Sequence, residues 1–232
     1  MATSIPIVLV PGLNCSARIY ANQVPHLWRF GPVTIANHTH GDSLQAIAGS
    51  ILACAPPHFA LVGFSMGGYI SLEIMRQAPN RVLRLALLDT SARPDSPAQS
   101  ERRAERVAMA RAGRFSESLD LQYPIVVHES RQNDNELRLQ YRTMAEEYGA
   151  DAFVRHLVAS SLRIDSRPYL AAIRCPTLVL VGDSDQLTPP EAADEMVDGI
   201  ESARLVTVAD CGHLSPLERP EAVTDALVAW MN

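Results

Sequence analysis

The chain predicts a layered α/β fold: a parallel sheet covered by crossover helices and interrupted once by a helical insertion. Three observations predict it. Short apolar runs of strand length alternate with longer segments of helical period, the pattern of successive βαβ units. Several of these runs are apolar throughout, as strands buried on both faces must be. The alternation then stops at about Ala92, gives way to Arg- and Glu-rich helical spacing, and resumes after Pro168.

The elements follow in order. Ile5–Val10 is a buried strand ended by Pro11-Gly12. Val33–Asn37 is a second, after which Ser43 caps a helix reaching about Cys54, its hydroxyl placed to accept an early backbone N–H. Phe59–Gly63 is a third strand and runs into Ser65-Met66-Gly67-Gly68. The helix that follows ends near Gln77, where Pro79 removes a donor and blocks continuation. Leu83–Leu88 is a fourth strand. Between Pro94 and Pro97 at one end and Pro168 at the other, helical spacing recurs in Glu101–Arg111, Asn135–Glu147 and Asp151–Leu162. Strands then return at Thr177–Val181 and Arg204–Val208, with helices near Pro190–Val197 and Pro220–Trp230. No internal repeat or low-complexity tract is present.

The chain has 232 residues, 47% hydrophobic and 20% charged. That is enough for one sizeable core with an inserted subdomain, and too apolar for disorder. A net charge of −6 leaves no electrostatic footprint for nucleic acid. All 20 basic residues are Arg. Schiff-base chemistry, pyridoxal phosphate attachment and the Gly-Lys-Ser/Thr phosphate loop each need a Lys and are excluded. Cys15, Cys54, Cys175 and Cys211 are scattered, with no Cys-x-x-Cys pair to suggest a zinc knuckle or redox motif. Met1-Ala2-Thr3-Ser4 leads straight into a strand without a signal-peptide pattern, and no run approaches the roughly 18 apolar residues of a membrane span. The expectation is a cytoplasmic protein of a reducing compartment, with no cofactor, metal, nucleic-acid or membrane partner. Its oligomeric state is left open.

Gly63-Phe64-Ser65-Met66-Gly67 is Gly-x-Ser-x-Gly, set directly after a buried strand and directly before a helix. Small residues let the chain turn sharply there and thrust the Ser65 hydroxyl out above the carboxyl end of the sheet. The helix start behind it offers the Met66 N–H to a developing oxyanion. Serine needs a base to become a nucleophile. Gly182-Asp183-Ser184-Asp185 and Cys211-Gly212-His213 each follow a later strand, so an acid and a histidine emerge at the same end of the sheet.

These segments resemble the α/β-hydrolases, in particular the capped esterases and lactonases. The resemblance is carried by Val10-Pro11-Gly12-Leu13, Gly63-Phe64-Ser65-Met66-Gly67-Gly68, Gly182-Asp183-Ser184-Asp185 through Thr188-Pro189-Pro190, and Gly212-His213 through Glu218-Arg219-Pro220-Glu221. It implies a fold of about six mainly parallel strands, with a core of residues 1–91 and 171–232 and a helical cap of residues 92–170. It also implies Ser65 as nucleophile, His213 as base, Asp185 as acid with Asp183 ranked second, and the backbone N–H groups of Leu13 and Met66 as oxyanion hole. The family's usual His-Gly in the first turn is Pro11-Gly12 here. The implied reaction is hydrolysis of a small carboxylic ester or lactone through an acyl-enzyme, and the Leu88–Arg93 passage is similar to enol-lactonases. Carbon–carbon hydrolysis or lyase chemistry would use the same triad, and a low-turnover ligand-binding receptor would keep the fold alone.

Other features have simpler readings. His38-Thr39-His40-Gly41-Asp42 resembles half of a dinuclear metal signature, but Ser43 stands where a further ligand belongs and no second cluster follows. Cys15 reads as a small buried hydrophobe. Arg102, Arg103, Arg106, Glu146 and Glu147 read as a solvated helix face. Tyr123, His128, Phe153 and His156 are the expected roof of a substrate pocket.

Overall fold

A computed structural model describes residues 4–232; Met1 to Thr3, on which the reading of the N-terminus partly rests, lie outside the described residues. Six strands form one sheet: β1 (Ile7–Val10), β2 (Val33–Ile35), β3 (Phe59–Phe64), β4 (Val82–Leu88), β5 (Thr177–Gly182) and β6 (Ala203–Val208). The spatial order is β2-β1-β3-β4-β5-β6 and every neighbouring pair is parallel. Crossover segments are therefore required, and α1 (Val24–Leu27), α2 (Leu44–Cys54), α3 (Met66–Gln77) and α8 (Pro190–Gly199) lie in them, while α9 (Ser215–Glu218) and α10 (Pro220–Met231) follow the last strand. Four more, α4 (Pro97–Arg111), α5 (Phe115–Val126), α6 (Asn135–Tyr148) and α7 (Ala150–Ser161), form the insertion between β4 and β5.

Alternate residues of a strand point to opposite faces, and both faces here are covered. Ile7 and Leu9 pack with Leu27, Leu227 and Trp230, while Val8 and Val10 pack with Ile47, Ile70 and Met196. Chain order reverses at β1, which has β2 on one side and β3 on the other, so a crevice opens beyond the carboxyl ends of β1 and β3. Val10 is in register with Gly63, Gly63 with Leu87, and Leu88 with Leu180. The loops after four strands thus leave the sheet at one level.

The insertion has more helix than its spacing predicts. Phe115–Val126 forms a helix beyond the three segments that the spacing picks out, with Pro124 in its last turn. Leu119, Tyr123, Leu137, Tyr141 and Met144 of α5 and α6 join the core of the sheet itself, whereas Phe153 and Leu157 of α7 pack in a smaller cluster with Ala110 and Tyr148. Asp95, with a fully buried side chain, accepts from Arg103 of α4 at 2.6 Å and from Arg163 just beyond α7. One carboxylate thereby ties the start of the insertion to its end. No helix among the described residues is long and apolar enough to cross a membrane.

Candidate active site

Ser65 stands between β3 and α3 with φ 53° and ψ −117°, a backbone conformation that costs a non-glycine residue about 1–3 kcal/mol. The turn survives because its neighbours are small. A Cβ on Gly67 would lie 2.0 Å from the Val10 carbonyl oxygen, and one on Gly63 would lie 2.3 Å from Ser71 Oγ. The Ser65 N–H donates to Leu88 O at 2.9 Å and its carbonyl accepts from Thr90 Oγ1 at 2.8 Å, so β4 holds the turn from the side.

His213 lies in the loop between β6 and α9 and bridges the other two residues. Its Nε2 is 2.8 Å from Ser65 Oγ, and its Nδ1 is 2.7 Å from Asp185 Oδ2. Asp185 Oδ2 also accepts from Thr188 Oγ1 at 2.7 Å, while Oδ1 accepts the backbone N–H groups of Leu187 and Thr188 at 2.8 and 3.0 Å. Burial works against ionisation of Asp185, but the His213 charge and these hydrogen bonds together hold its carboxyl below the usual carboxylate range. Burial likewise works against an imidazolium at His213, yet the Asp185 charge and hydrogen bond, aided by Asp89 and Glu218, hold it above the ordinary imidazole value. Asp183, the second acid of the sequence reading, is elsewhere: it accepts from the backbone N–H groups of Asp210 and Cys211 and from Ser184, tying the β5 and β6 loops together.

Two further carboxyls support the histidine loop. Asp89, in the left-handed region at φ 44°, is fully buried and accepts the Gly182 N–H at 3.0 Å and the Ser215 hydroxyl. Burial and the neighbouring Asp185 charge hold its carboxyl well above the usual carboxylate range, against the pull of His213 and of these two hydrogen bonds. Glu218 accepts the N–H groups of His128 and Leu214 at 2.7 and 3.1 Å, and the His213 N–H itself donates to Val126 O at 3.0 Å. The end of α5 therefore grips the loop that carries His213.

On the opposite side, the Gly12–Leu13 turn follows β1. The Gly12 carbonyl accepts from His38 Nε2 at 3.0 Å, and burial lowers His38 to about 4, which leaves it neutral at physiological pH. The buried His38 thus braces the turn and stands among backbone and aromatic groups. Among the described residues no group of three or more His, Cys, Asp and Glu could hold a metal. Met66 is the first residue of α3, so its N–H has no acceptor within the helix.

Ser65, Met66, Leu13, Thr188 and His213 line one cavity of about 500 Å³ whose other wall comes from the insertion: Arg106 and Met109 of α4, Gln122 and Ile125 of α5, and Tyr141 of α6. None of the four expected roof residues is among its lining. Tyr123 is buried with its hydroxyl on the carbonyls of Arg131 and Asp134, His128 pairs with Ser130, Phe153 lies under the Arg106 guanidinium, and His156 pairs with Tyr148. They belong to the interior and edge of the insertion, because aromatic residues on its helices fill its own core. Arg106 is the converse correction. It was read as solvated but stands half-buried in the wall; its spacing from Arg102 and Met109, four and three residues away, was the available signal.

A model of the alpha/beta hydrolase family matches residues 7–226. The chain belongs to the alpha/beta hydrolase family. It is similar to an esterase from Thermogutta terrifontis solved with malate bound, at 29% identity and TM-score 0.88, covering 100% of this chain and 90% of that one. The enol-lactonase of Burkholderia xenovorans shares the fold at 24% identity and TM-score 0.89, covering 99% and 92%. A Mycobacterium tuberculosis family protein named as a candidate non-heme bromoperoxidase is 28% identical over 174 residues, or 73% of this chain; the match spans 66% of that relative's length. The family assignment agrees with the motifs and with the six-stranded parallel sheet carrying a helical insertion.

Proposed function

We propose that this protein is a serine hydrolase that cleaves a small carboxylic ester or lactone through an acyl-enzyme. The observation that carries the reading is the continuous chain Ser65 Oγ, His213, Asp185, with links of 2.8 and 2.7 Å, whose Ser65 and His213 line the cavity. Ser65 attacks the substrate carbonyl while His213 Nε2 takes its proton, and ionised Asp185 holds the Nδ1–H tautomer and offsets the imidazolium charge. The N–H groups of Leu13 and Met66 stabilise the tetrahedral oxyanion. His213 returns the proton to the leaving oxygen, then activates water to release the acid. Residues 92–170 act as the cap over a core of residues 1–91 and 171–232, and the cap wall sets which acyl group enters. Similarity to an esterase at 29% identity supports ester chemistry, and similarity of fold to an enol-lactonase is compatible with a cyclic ester.

The test is hydrolysis of short-chain p-nitrophenyl esters by wild type and Ser65→Ala, with intact-mass analysis after fluorophosphonate treatment. Turnover lost in Ser65→Ala, with one adduct mapped to Ser65, is expected. A folded wild type that yields neither turnover nor adduct refutes the acyl-enzyme.

A further inference from the structure

We propose that Arg106 makes the cap wall an anion-recognition site, so that the substrate is an ester or lactone bearing a free carboxylate on its acyl side. The proposal rests on the hydrolase reading above and names its substrate class. Its physical basis is an unbalanced charge. Arg106 Nε donates to Ser118 Oγ at 3.3 Å and the guanidinium stacks over Phe153 at 5.0 Å, which fixes its plane. Its Nη2 is enclosed and has no hydrogen-bond partner, and no carboxylate forms an ion pair with it among the described residues. Burial acts most strongly against its charge and Arg103 adds to that, while Tyr141 favours it through a hydrogen bond. A desolvated cation without a counter-ion is costly, and a protein retains one where a ligand completes it.

The same wall also carries Asn14, buried beyond the Gly12–Leu13 turn; its enclosed Oδ1 has no partner and, being an acceptor, calls for a donor group on the substrate and not for the carboxylate. Tyr141 lies beside both Arg106 and Asn14, so a guanidinium, an amide and a phenol converge on one wall. The other insertion cations are spent or solvated: Arg103 and Arg163 share Asp95, and Arg102 is exposed at the rim beside Glu105. One free buried charge matches one carboxylate, and the planar fork of Arg suits its two oxygens. A phosphate monoester would carry more charge than this wall balances. Among polar neighbours such as Ser118 and Gln122, the insertion side also offers Met109, Leu121 and Ile125, apolar surface for a short methylene spacer between carboxylate and scissile carbonyl.

The test compares two p-nitrophenyl esters of similar length, the mono-ester of glutarate and the hexanoate, in wild type, Arg106→Lys and Arg106→Met. Wild type is expected to favour the glutarate ester in kcat/KM by about 10- to 100-fold, and Arg106→Met to erase that preference, because a hydrogen bond to a charged group is lost. Arg106→Lys should keep part of it. Glutarate itself, titrated calorimetrically into Ser65→Ala, should bind and should lose at least about tenfold in affinity when Arg106→Met is added. Measurable and equal wild-type turnover of the two esters, or a wild-type preference for the hexanoate, overturns the proposal without any variant and leaves the hydrolase reading standing. Glutarate binding that depends on Arg106 in a protein that hydrolyses neither ester keeps the anion site and refutes the hydrolase instead.

Discussion

Replacing Asp185 with Asn tests the core of the mechanism, because the hydrogen-bond pattern dictates how the amide must sit. Oδ1 of Asp185 accepts two backbone N–H groups, from Leu187 and Thr188, at 2.8 and 3.0 Å. Backbone donors cannot turn away, so the amide oxygen of the variant has to take that place. Its NH2 then occupies the Oδ2 position, 2.7 Å from His213 Nδ1 and 2.7 Å from Thr188 Oγ1. The threonine hydroxyl can reverse and accept. The imidazole can accept at Nδ1 only by moving its proton to Nε2, the nitrogen that must take the Ser65 proton. The wrong tautomer in an otherwise intact triad costs about 10⁴ in kcat, or roughly 5 kcal/mol of transition-state stabilisation. The pH profile adds a second sign. Asp185 holds His213 above its ordinary value, so the acidic limb of wild-type kcat/KM lies above 6.5; in Asp185→Asn the largest influence opposing burial is gone, only Asp89 and Glu218 still act against it, and the limb moves down. The assay is ester hydrolysis from pH 5 to 9, with Asp183→Asn as control, which should retain most of its turnover because Asp183 serves the β5 and β6 loops. Loss of less than tenfold in Asp185→Asn, or a larger loss in Asp183→Asn, refutes the assignment.

Other consequences concern stability. Asp95→Ala strands two guanidinium groups, Arg163 almost fully buried, and should lower unfolding free energy by about 3–5 kcal/mol in denaturant titration. Adding Arg163→Met should recover part of that loss; a double variant no more stable than the single one would place the cost elsewhere. Gly67→Ala drives a Cβ to 2.0 Å from the Val10 carbonyl oxygen and should abolish soluble folded protein or, where it folds, displace Ser65 and its turnover. A folded, fully active alanine variant would mean the turn is looser than its geometry. His38, held at about 4 against an ordinary 6.5, binds fewer protons folded than unfolded between those values. Its contribution is therefore present above pH 6.5 and is lost as pH falls, by up to about 3 kcal/mol at pH 4. His38→Phe should be less stable at neutral pH but flatter across that window, and an unchanged slope would place the acid sensitivity in other groups.

What the sequence made legible divides along physical lines. Strand runs such as Phe59–Phe64 and Thr177–Gly182 are buried on both faces, so local composition alone determines them. Gly63, Ser65 and Gly67 announce the turn because close backbone approach leaves no alternative side chain. The insertion was less legible for the opposite reason. Its helices are amphipathic toward two surfaces, the sheet and the cavity, and a single strand of chain does not say which face meets which. Tyr123 and Phe153 have the chemistry of pocket residues yet pack inward, while Arg106 has the composition of a surface residue yet stands in the wall. The same docking explains why the insertion is more than a lid. Val126 O takes the His213 N–H, and Glu218 takes the His128 N–H across the same seam. Any movement of α5 that widens the cavity therefore acts on the histidine it shares a backbone bond with. Substrate entry and the alignment of the base are coupled through that one carbonyl, and a variant that loosens α5, such as Glu218→Gln, should lower kcat more than it raises KM. A rise in KM alone would show the two to be separable.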